Sequence, residues 1–360
     1  MEIVKIKLMA LKILKWVDNL GRVGLGCYEL TVNSSMTDFQ LTTPVAFLIF
    51  NRPDTTARVF EAIRQAKPPK LLVVADGPRP DRPDDIEKCK AARAIIEGVD
   101  WDCEVLKNYS EVNLGVDERV PSGLNWVFNV VDKAIIFEDD CLPHPTFFPF
   151  CQELLNDYQH DERVMHISGN NFQFGNRRTK YSYYFSYYNL CWGWATWNRA
   201  WQHYDHNLTM WPDIRNEKYL KYILNKSRPY SFWTKLFDDI YYRRITYGGW
   251  DYRWIFSSWS QNGLSITPSV NLVTNIGWGQ HATHTFNPES HLSKVPVQRV
   301  NFPLKHPPYI MPNSQADDYT YEIYFHCPLH QRIFSKVKRE TTKLKRKMHF
   351  NILSNSKITG

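Results

Sequence analysis

Short apolar runs closed by polar turns, with helical periodicity between them, constrain this chain more than any other feature. Val45 to Phe50 is an unbroken apolar run, ended by Asn51-Arg52-Pro53. Val59, Ile63 and Ala66 then recur at helical spacing. Leu71 to Ala75 is a second run, closed by Asp76-Gly77-Pro78. A polar helix is expected over 84–98, a third strand within WDCEVLKNYS, a helix marked by Val120, Leu124, Val127, Phe128 and Val131, and a fourth strand in AIIFEDD. Runs this short, bounded by turn residues, read as buried strands. Strands alternating with helices imply an α/β fold with a mostly parallel central sheet flanked by helices. Ligands of such sheets bind beyond the carboxyl ends of the strands. Asn51, Arg52, Asp76 and the acids Glu138, Asp139 and Asp140 all stand at such ends.

Three adjacent carboxylates repel one another. They are tolerated in solvent, as a plain acidic turn, or where a cation neutralises them. Paired carboxylates commonly hold Mg²⁺ or Mn²⁺ against substrate phosphates. The chain has no GxGxxG and no GxxxxGK[ST]. A dinucleotide-dependent dehydrogenase or a P-loop enzyme needs such a glycine-rich cradle, so both are disfavoured.

Bulk properties narrow the class further. The 360 residues suffice for one large domain or two smaller ones, and 43% hydrophobic with 22% charged is an ordinary globular composition. No stretch approaches the roughly 20 apolar residues of a membrane span. Seven cysteines without a CxxC pair argue against a disulfide framework or zinc site and for a reducing, cytoplasmic setting. Lysines at 5, 7, 12 and 15 interrupt the N-terminal apolar residues, so no signal peptide is expected. Residues 332–347 carry eight basic side chains and one acid, which accounts for the whole net charge of +7. A basic body for nucleic acid is therefore not indicated, and no nucleic-acid partner is expected. A basic tail that meets an anionic membrane surface is the expectation, with a solvated tail as the alternative.

The second half differs in character. Nine of the thirteen tryptophans lie between Tyr181 and Trp259, densest in YSYYFSYYNLCWGWATWNRAW. Flat aromatic faces suit the C–H faces of sugar rings. The same residues also serve as bulky core with a polar handle.

FNRP, VVADGP, NLGVDERVPSGLNWVF, IIFEDDCLPHPTFF and, later, GGWDYRWIFSSWSQNGLSITPSVNLVTNIGWGQHATHT occur in this order. The set resembles GT-A nucleotide-sugar glycosyltransferases, specifically the N-acetylglucosaminyltransferase I type and its bacterial relatives. The likeness covers about residues 44 to 290. The acids read EDD rather than DxD, the form found in that branch. The resemblance implies a metal-dependent inverting transfer from a nucleotide-diphosphate sugar, expected to be a UDP-sugar, to a glycan or lipid-linked saccharide acceptor. It implies Asp140 as ligand of a divalent cation (Mn²⁺ or Mg²⁺), Asp139 by the ribose or the metal's outer shell, and Glu138 by the donor sugar. Asn51 and Arg52 would face the nucleotide, Asp76 the base or ribose, and Arg119 the diphosphate, unless it is a surface helix arginine. Asp251 in GGWDYRW would be the general base, or else the cap of a helix starting at Tyr252. His281 or His284, the latter taken as the metal ligand, would complete the site unless structural.

The expected organisation is an appendage over 1–40, a nucleotide-sugar-binding half over 41–150, an acceptor-binding and catalytic half over 151–300, and a C-terminal extension with the basic tail over 301–360. Two rival functions share parts of this pattern. A sugar-phosphate nucleotidyltransferase usually carries a glycine-rich basic loop after its first strand, which FNRPDTTAR lacks. A carbohydrate-binding protein on a degenerate transferase fold would explain the tryptophans but not an intact EDD with Asp251.

Overall fold

The computed structural model describes residues 39–244, 249–278, 292 and 295–326. The chain divides into two units at Phe39/Gln40, and every described residue except Phe39 belongs to the second. Strands β1 (Val45–Ile49), β2 (Lys70–Ala75), β3 (Glu104–Tyr109) and β4 (Lys133–Glu138) alternate with helices α1 (Pro53–Ala66), α2 (Asp84–Ile95) and α3 (Val116–Val130). There follow β5 (Cys141–Pro143), α4 (Phe147–Asp157), β6 (Val164–Ser168), β7 (Tyr183–Ser186) and β8 (Trp194–Trp197). The last elements are α5 (Ser227–Tyr241), α6 (Trp250–Ser260), β9 (Leu264–Pro268), β10 (Val273–Asn275), α7 (Ser314–Thr320) and a π-helical turn, Tyr321–Phe325.

Eight strands form one sheet in the order β3-β2-β1-β4-β8-β6-β9-β7. β1 to β4 are all parallel, β6 pairs β9 in parallel, and β8 runs antiparallel to both β4 and β6. With β7 antiparallel to β9, four of the seven pairings are parallel. This is the mostly parallel, helix-flanked α/β sheet that the apolar runs predict.

Alternation along the strands sorts side chains to two faces. Val45, Phe47, Ile49, Val73 and Phe137 join Phe147, Phe150 and Leu154 of α4 in one core. Ala46, Leu48, Val74 and Ile136 join Leu124 and Val127 of α3, together with Trp194 and Trp254, in the other. Gly123 permits the second: a Cβ there would lie 2.4 Å from Val74 Cγ1, so only glycine lets α3 approach the sheet this closely.

A third core, outside the sheet, gathers Trp211, Trp233, Phe237, Phe256, Trp259, Tyr321 and Phe325. Of the nine clustered tryptophans, Trp194, Trp197, Trp201, Trp211, Trp233, Trp250, Trp254 and Trp259 are buried. The sugar-platform reading is corrected for those eight: they are core, because a sheet edge and two helices of this size need large apolar fillers. Only Trp192 keeps an open face.

α6 is held from both sides. Trp250 and Trp254 enter the second core, and Ile255, Phe256 and Trp259 the third. The Trp254 indole donates to His166 Nδ1 at 3.1 Å, and His166 Nε2 donates to the Leu190 carbonyl at 3.1 Å. The helix begins at Trp250, not Tyr252, with Gly249 as its N-cap at φ 126°. Asp251 therefore lies inside the first turn and is not the capping residue. Five described cysteines are free thiols. Among the described residues no helix is long and apolar enough to cross a membrane.

Candidate active site

The site forms where β1 and β4, side by side with Leu48 opposite Glu138, deliver their next residues. Extended backbone at the end of β1 places the Phe50 N–H 3.2 Å from Asp139 Oδ2. Arg52, just before α1, reaches back. Its Nη1 donates to Asp140 Oδ2 at 2.6 Å, and its Nε lies 3.6 Å from Asp139 Oδ1. Burial would lower this guanidinium, but Asp139 and Asp140 outweigh it and hold Arg52 firmly charged.

β10 lies antiparallel to β5, with Asn275 opposite Cys141. The chain beyond it donates Ile276 N–H to the Asp140 carbonyl at 2.7 Å. Gly277 then crosses the ion pair. A Cβ there would stand 2.4 Å from Asp140 Oδ2 and 2.5 Å from Arg52 Nη1, so the position demands glycine.

The acids carry more negative charge than their surroundings offset. Burial, then Asp140 and Asp139, push Glu138 up to about 8 against the opposing pull of Arg52, with Asp251 adding to the rise. Burial likewise pushes Asp139 up to about 7, against Arg52 and with Asp140. Asp251 lies in the first turn of α6. A helix N-terminus favours a carboxylate there.

Three carboxylates face one guanidinium, a deficit of two positive charges. All donors are hard oxygens, the kind Mg²⁺ and Mn²⁺ prefer. The donor chemistry and its charge suit a divalent cation, but the three acids do not bring three oxygens together: among the described residues the ligand atoms that lie within 4.8 Å of one another are those of Glu153, Asp157 and His306. Such a cation would compete with Arg52 for Asp140 Oδ2. The expected contribution of His281 or His284 lies outside the described residues, as do residues 1–38 and the basic segment 332–347.

Two predicted residues turn out to be committed to the protein itself. Asp76 Oδ1 accepts from the backbone N–H groups of Gly77 and Leu114, and Oδ2 from Gly115 N–H and Asn113 Nδ2, each at 2.9 Å. That occupies the four acceptor positions of a carboxylate. Asp76 ties the end of β2 to the loop before α3, which explains its place in the pattern without a ribose.

Arg119 is buried, so the surface-helix alternative is corrected. Its Nε donates to the Ala75 carbonyl at 3.1 Å, and its Nη2 to Asn108 Oδ1 at 2.7 Å and to the Asn108 carbonyl. Burial lowers its pKa, with Asp76 opposing. It clasps the ends of β2 and β3 to α3, and this geometry does not favour a diphosphate contact.

Asn51 is also tied down. Its Nδ2 donates to Asp85 Oδ1 at 2.6 Å, and Arg79 Nε donates to Asp85 Oδ2 at 2.5 Å. Arg79 holds Asp85 down to about 2. Its guanidinium also sits 5.4 Å over the Phe50 ring. Sequence reasoning passed over Arg79 and Asp85, although Arg79 directly follows the Asp76-Gly77-Pro78 turn.

No protein-family model matches the chain, and no curated protein matches it. Among solved structures, residues 1–349 of S. aureus TarS align with 44% of this chain at 6% identity and a TM-score of 0.30. The match spans 47% of that structure, under half its length. The 4-diphosphocytidyl-2C-methyl-D-erythritol synthase of Anaerococcus prevotii aligns with 50% of this chain and 77% of its own, at 10% identity and a TM-score of 0.29. Neither is named as an N-acetylglucosaminyltransferase. At these scores the alignments decide nothing about chemistry, and the functional reading rests on the site's own residues.

Proposed function

We propose that this protein is a metal-dependent, inverting glycosyltransferase that moves a sugar from a nucleotide-diphosphate sugar, expected to be a UDP-sugar, to a glycan or lipid-linked saccharide. The single observation that supports it most is the electrostatic coupling of two acidic groups from different elements. Glu138, Asp139 and Asp140 extend from β4, while Asp251 comes from α6 and is felt by Glu138. An inverting transfer needs this separation: one carboxylate group at the departing diphosphate and one at the attacking hydroxyl.

In this reading Asp251 accepts the proton of the acceptor hydroxyl as its oxygen bonds to the donor's anomeric carbon. The bond from that carbon to the phosphate oxygen breaks, and its electron pair leaves with the nucleoside diphosphate. A divalent cation, when bound, supplies Lewis-acid stabilisation of that leaving group. Arg52 adds a fixed positive charge beside it, and Phe50 N–H orients Asp139. The two tryptophan-anchored turns of α6 keep Asp251 in place as the charge moves.

Calorimetry with UDP, with and without Mn²⁺, tests the reading. Cation-dependent UDP binding is expected. Absence of binding would leave the carbohydrate-binding alternative, and preference for a nucleoside triphosphate the nucleotidyltransferase. A cytoplasmic enzyme held on the inner membrane face by residues 332–347 belongs to the same proposal. Deleting residues 332–360 should then release it from anionic vesicles, and binding indifferent to that deletion would remove the membrane partner.

A further inference from the structure

With eight of nine clustered tryptophans in the core, the ninth joins two partly exposed rings from later in the chain. Trp192, Trp278 and Tyr324 are each partly exposed. Trp192 and Trp278 meet edge to face with ring centroids 6.0 Å apart, and Trp192 and Tyr324 at 6.4 Å. Tyr324 stacks on buried Phe172 at 4.6 Å.

One end of this wall is fixed to the acids, because Trp278 directly follows Gly277, which touches Asp140 and Arg52. The other end is fixed by the π-helical turn. His326 N–H donates to the Tyr321 carbonyl at 2.7 Å, five residues back. That wide turn buries Tyr321 and Phe325 in the third core and leaves Tyr324 packed against that core but partly exposed. π-helical turns recur at functional sites.

The wall also carries polar groups with unused capacity. Trp278 Nε1 and Asn170 Nδ2 are buried and have no hydrogen-bond partner among the described residues. Asn170 is itself fully enclosed, and its Oδ1 accepts from Trp192 N–H at 3.3 Å. Burial, then Asp251, push the Tyr324 hydroxyl well above the usual tyrosine range, with Glu138 a smaller contributor. It therefore stays an O–H donor.

We infer that Trp192, Trp278 and Tyr324 form the acceptor subsite, where a pyranose ring lies with its C–H face on the aromatic wall and a hydroxyl toward Asp251. Tyr324 is the specificity-determining residue, supplied by the C-terminal segment rather than by the tryptophan-rich one. This rests on the glycosyltransferase reading. Aromatic rings hold such faces by dispersion, and the Tyr324 O–H donor meets a ring hydroxyl. A nucleobase could also stack, but the base is expected at the ends of β1 and β2, on the other side of the acids.

Saturation-transfer NMR, in the presence of UDP and Mg²⁺, with the methyl β-glycosides of glucose, galactose and N-acetylglucosamine as probes tests this. At least one probe should receive saturation at its ring C–H protons. Tyr324→Ala should weaken that probe by about tenfold, the scale of one lost aromatic contact. Tyr324→Phe should retain most of the binding, which also controls for folding, and UDP affinity should be the same in all three proteins. Saccharide binding unaffected by Tyr324→Ala, no binding of any probe to the wild type, or equal losses of UDP and saccharide would each overturn the subsite. If UDP itself does not bind with a cation, the parent glycosyltransferase reading fails instead, and the subsite with it.

Discussion

Cation binding to this site should depend steeply on pH between 6 and 8. Glu138 is held at about 8 and Asp139 at about 7 without a cation, so both are largely protonated at pH 6. A cation must displace those protons to bind. At pH 6 Glu138 lies about two pH units below its midpoint and Asp139 about one, and each unit costs about 1.4 kcal/mol. Because the two share their mutual repulsion, the costs do not add in full, and about 4 kcal/mol is the upper bound at pH 6. At pH 8 less than a tenth of Asp139 and about half of Glu138 stay protonated, so most of the cost is gone. Affinity for Mn²⁺ or Mg²⁺ should therefore rise by roughly 10² to 10³-fold from pH 6 to pH 8. Because the acids interact, the slope is the prediction rather than either midpoint.

The stability effect has the opposite sign. A carboxyl whose folded pKa is raised contributes stability that is full below its ordinary value and is lost as pH rises through the folded value. The cation-free protein should melt at lower temperature as pH climbs through 7 and 8, and added cation should restore more at pH 8 than at pH 6. Calorimetry in buffers of different ionisation enthalpy counts the protons directly. About two should be released per cation at pH 6. A flat affinity over this range with no proton release would refute the argument that this cluster lacks positive charge.

Three substitutions extend the reasoning. Asp140→Ala should abolish Mn²⁺-dependent UDP-sugar binding, since loss of a charged ligand costs several kcal/mol, and unchanged turnover would remove this acid from the site. Asp251→Asn should leave donor affinity near wild type and lower the transfer rate by about 10² to 10⁴-fold; lost donor binding would show the residue to be structural. Asp76→Ala strands four N–H donors and should destabilise the fold by about 3 kcal/mol in chemical denaturation, whereas a normal midpoint with weakened nucleotide binding would return Asp76 to the ligand.

The strands and their order of burial were legible because period and length are local. Val45–Ile49 and Lys70–Ala75 lie where the apolar runs place them, and the acids follow β4 as the run before them requires. The strand order beyond β4 was not legible. β8 inserts antiparallel between β4 and β6, a pairing set by long-range contacts that no local pattern reports. The site was readable at its acids, since three adjacent carboxylates demand an explanation wherever they fall. Asp76 and Arg119 show the opposite case. Both occupy strand-end or helix positions that look like ligand contacts, yet three backbone N–H groups and Asn113 Nδ2 saturate Asp76, and the Ala75 and Asn108 carbonyls with Asn108 Oδ1 accept from Arg119. Sequence shows a polar residue at a strand end, but only geometry shows whether its partners are already inside the protein.

The aromatic residues carry this distinction furthest. Density of tryptophan from Tyr181 to Trp259 left two readings open, a sugar surface and a large core. A residue contributes to binding only through the face left open, and that depends on what packs behind it. Trp192 keeps its face because Gly193, at φ 60°, turns the chain between it and buried Trp194. Trp278 keeps its face because Gly277 must press against Asp140 and Arg52. Tyr324 stays partly exposed at the π turn while it stacks on Phe172 and meets its buried neighbour Phe325 edge to face at 4.8 Å. In each case a backbone irregularity, not an aromatic count, decides which ring meets a ligand. The informative signals in the sequence were therefore the glycines beside the tryptophans, which mark where the chain cannot continue regularly and must expose what it carries.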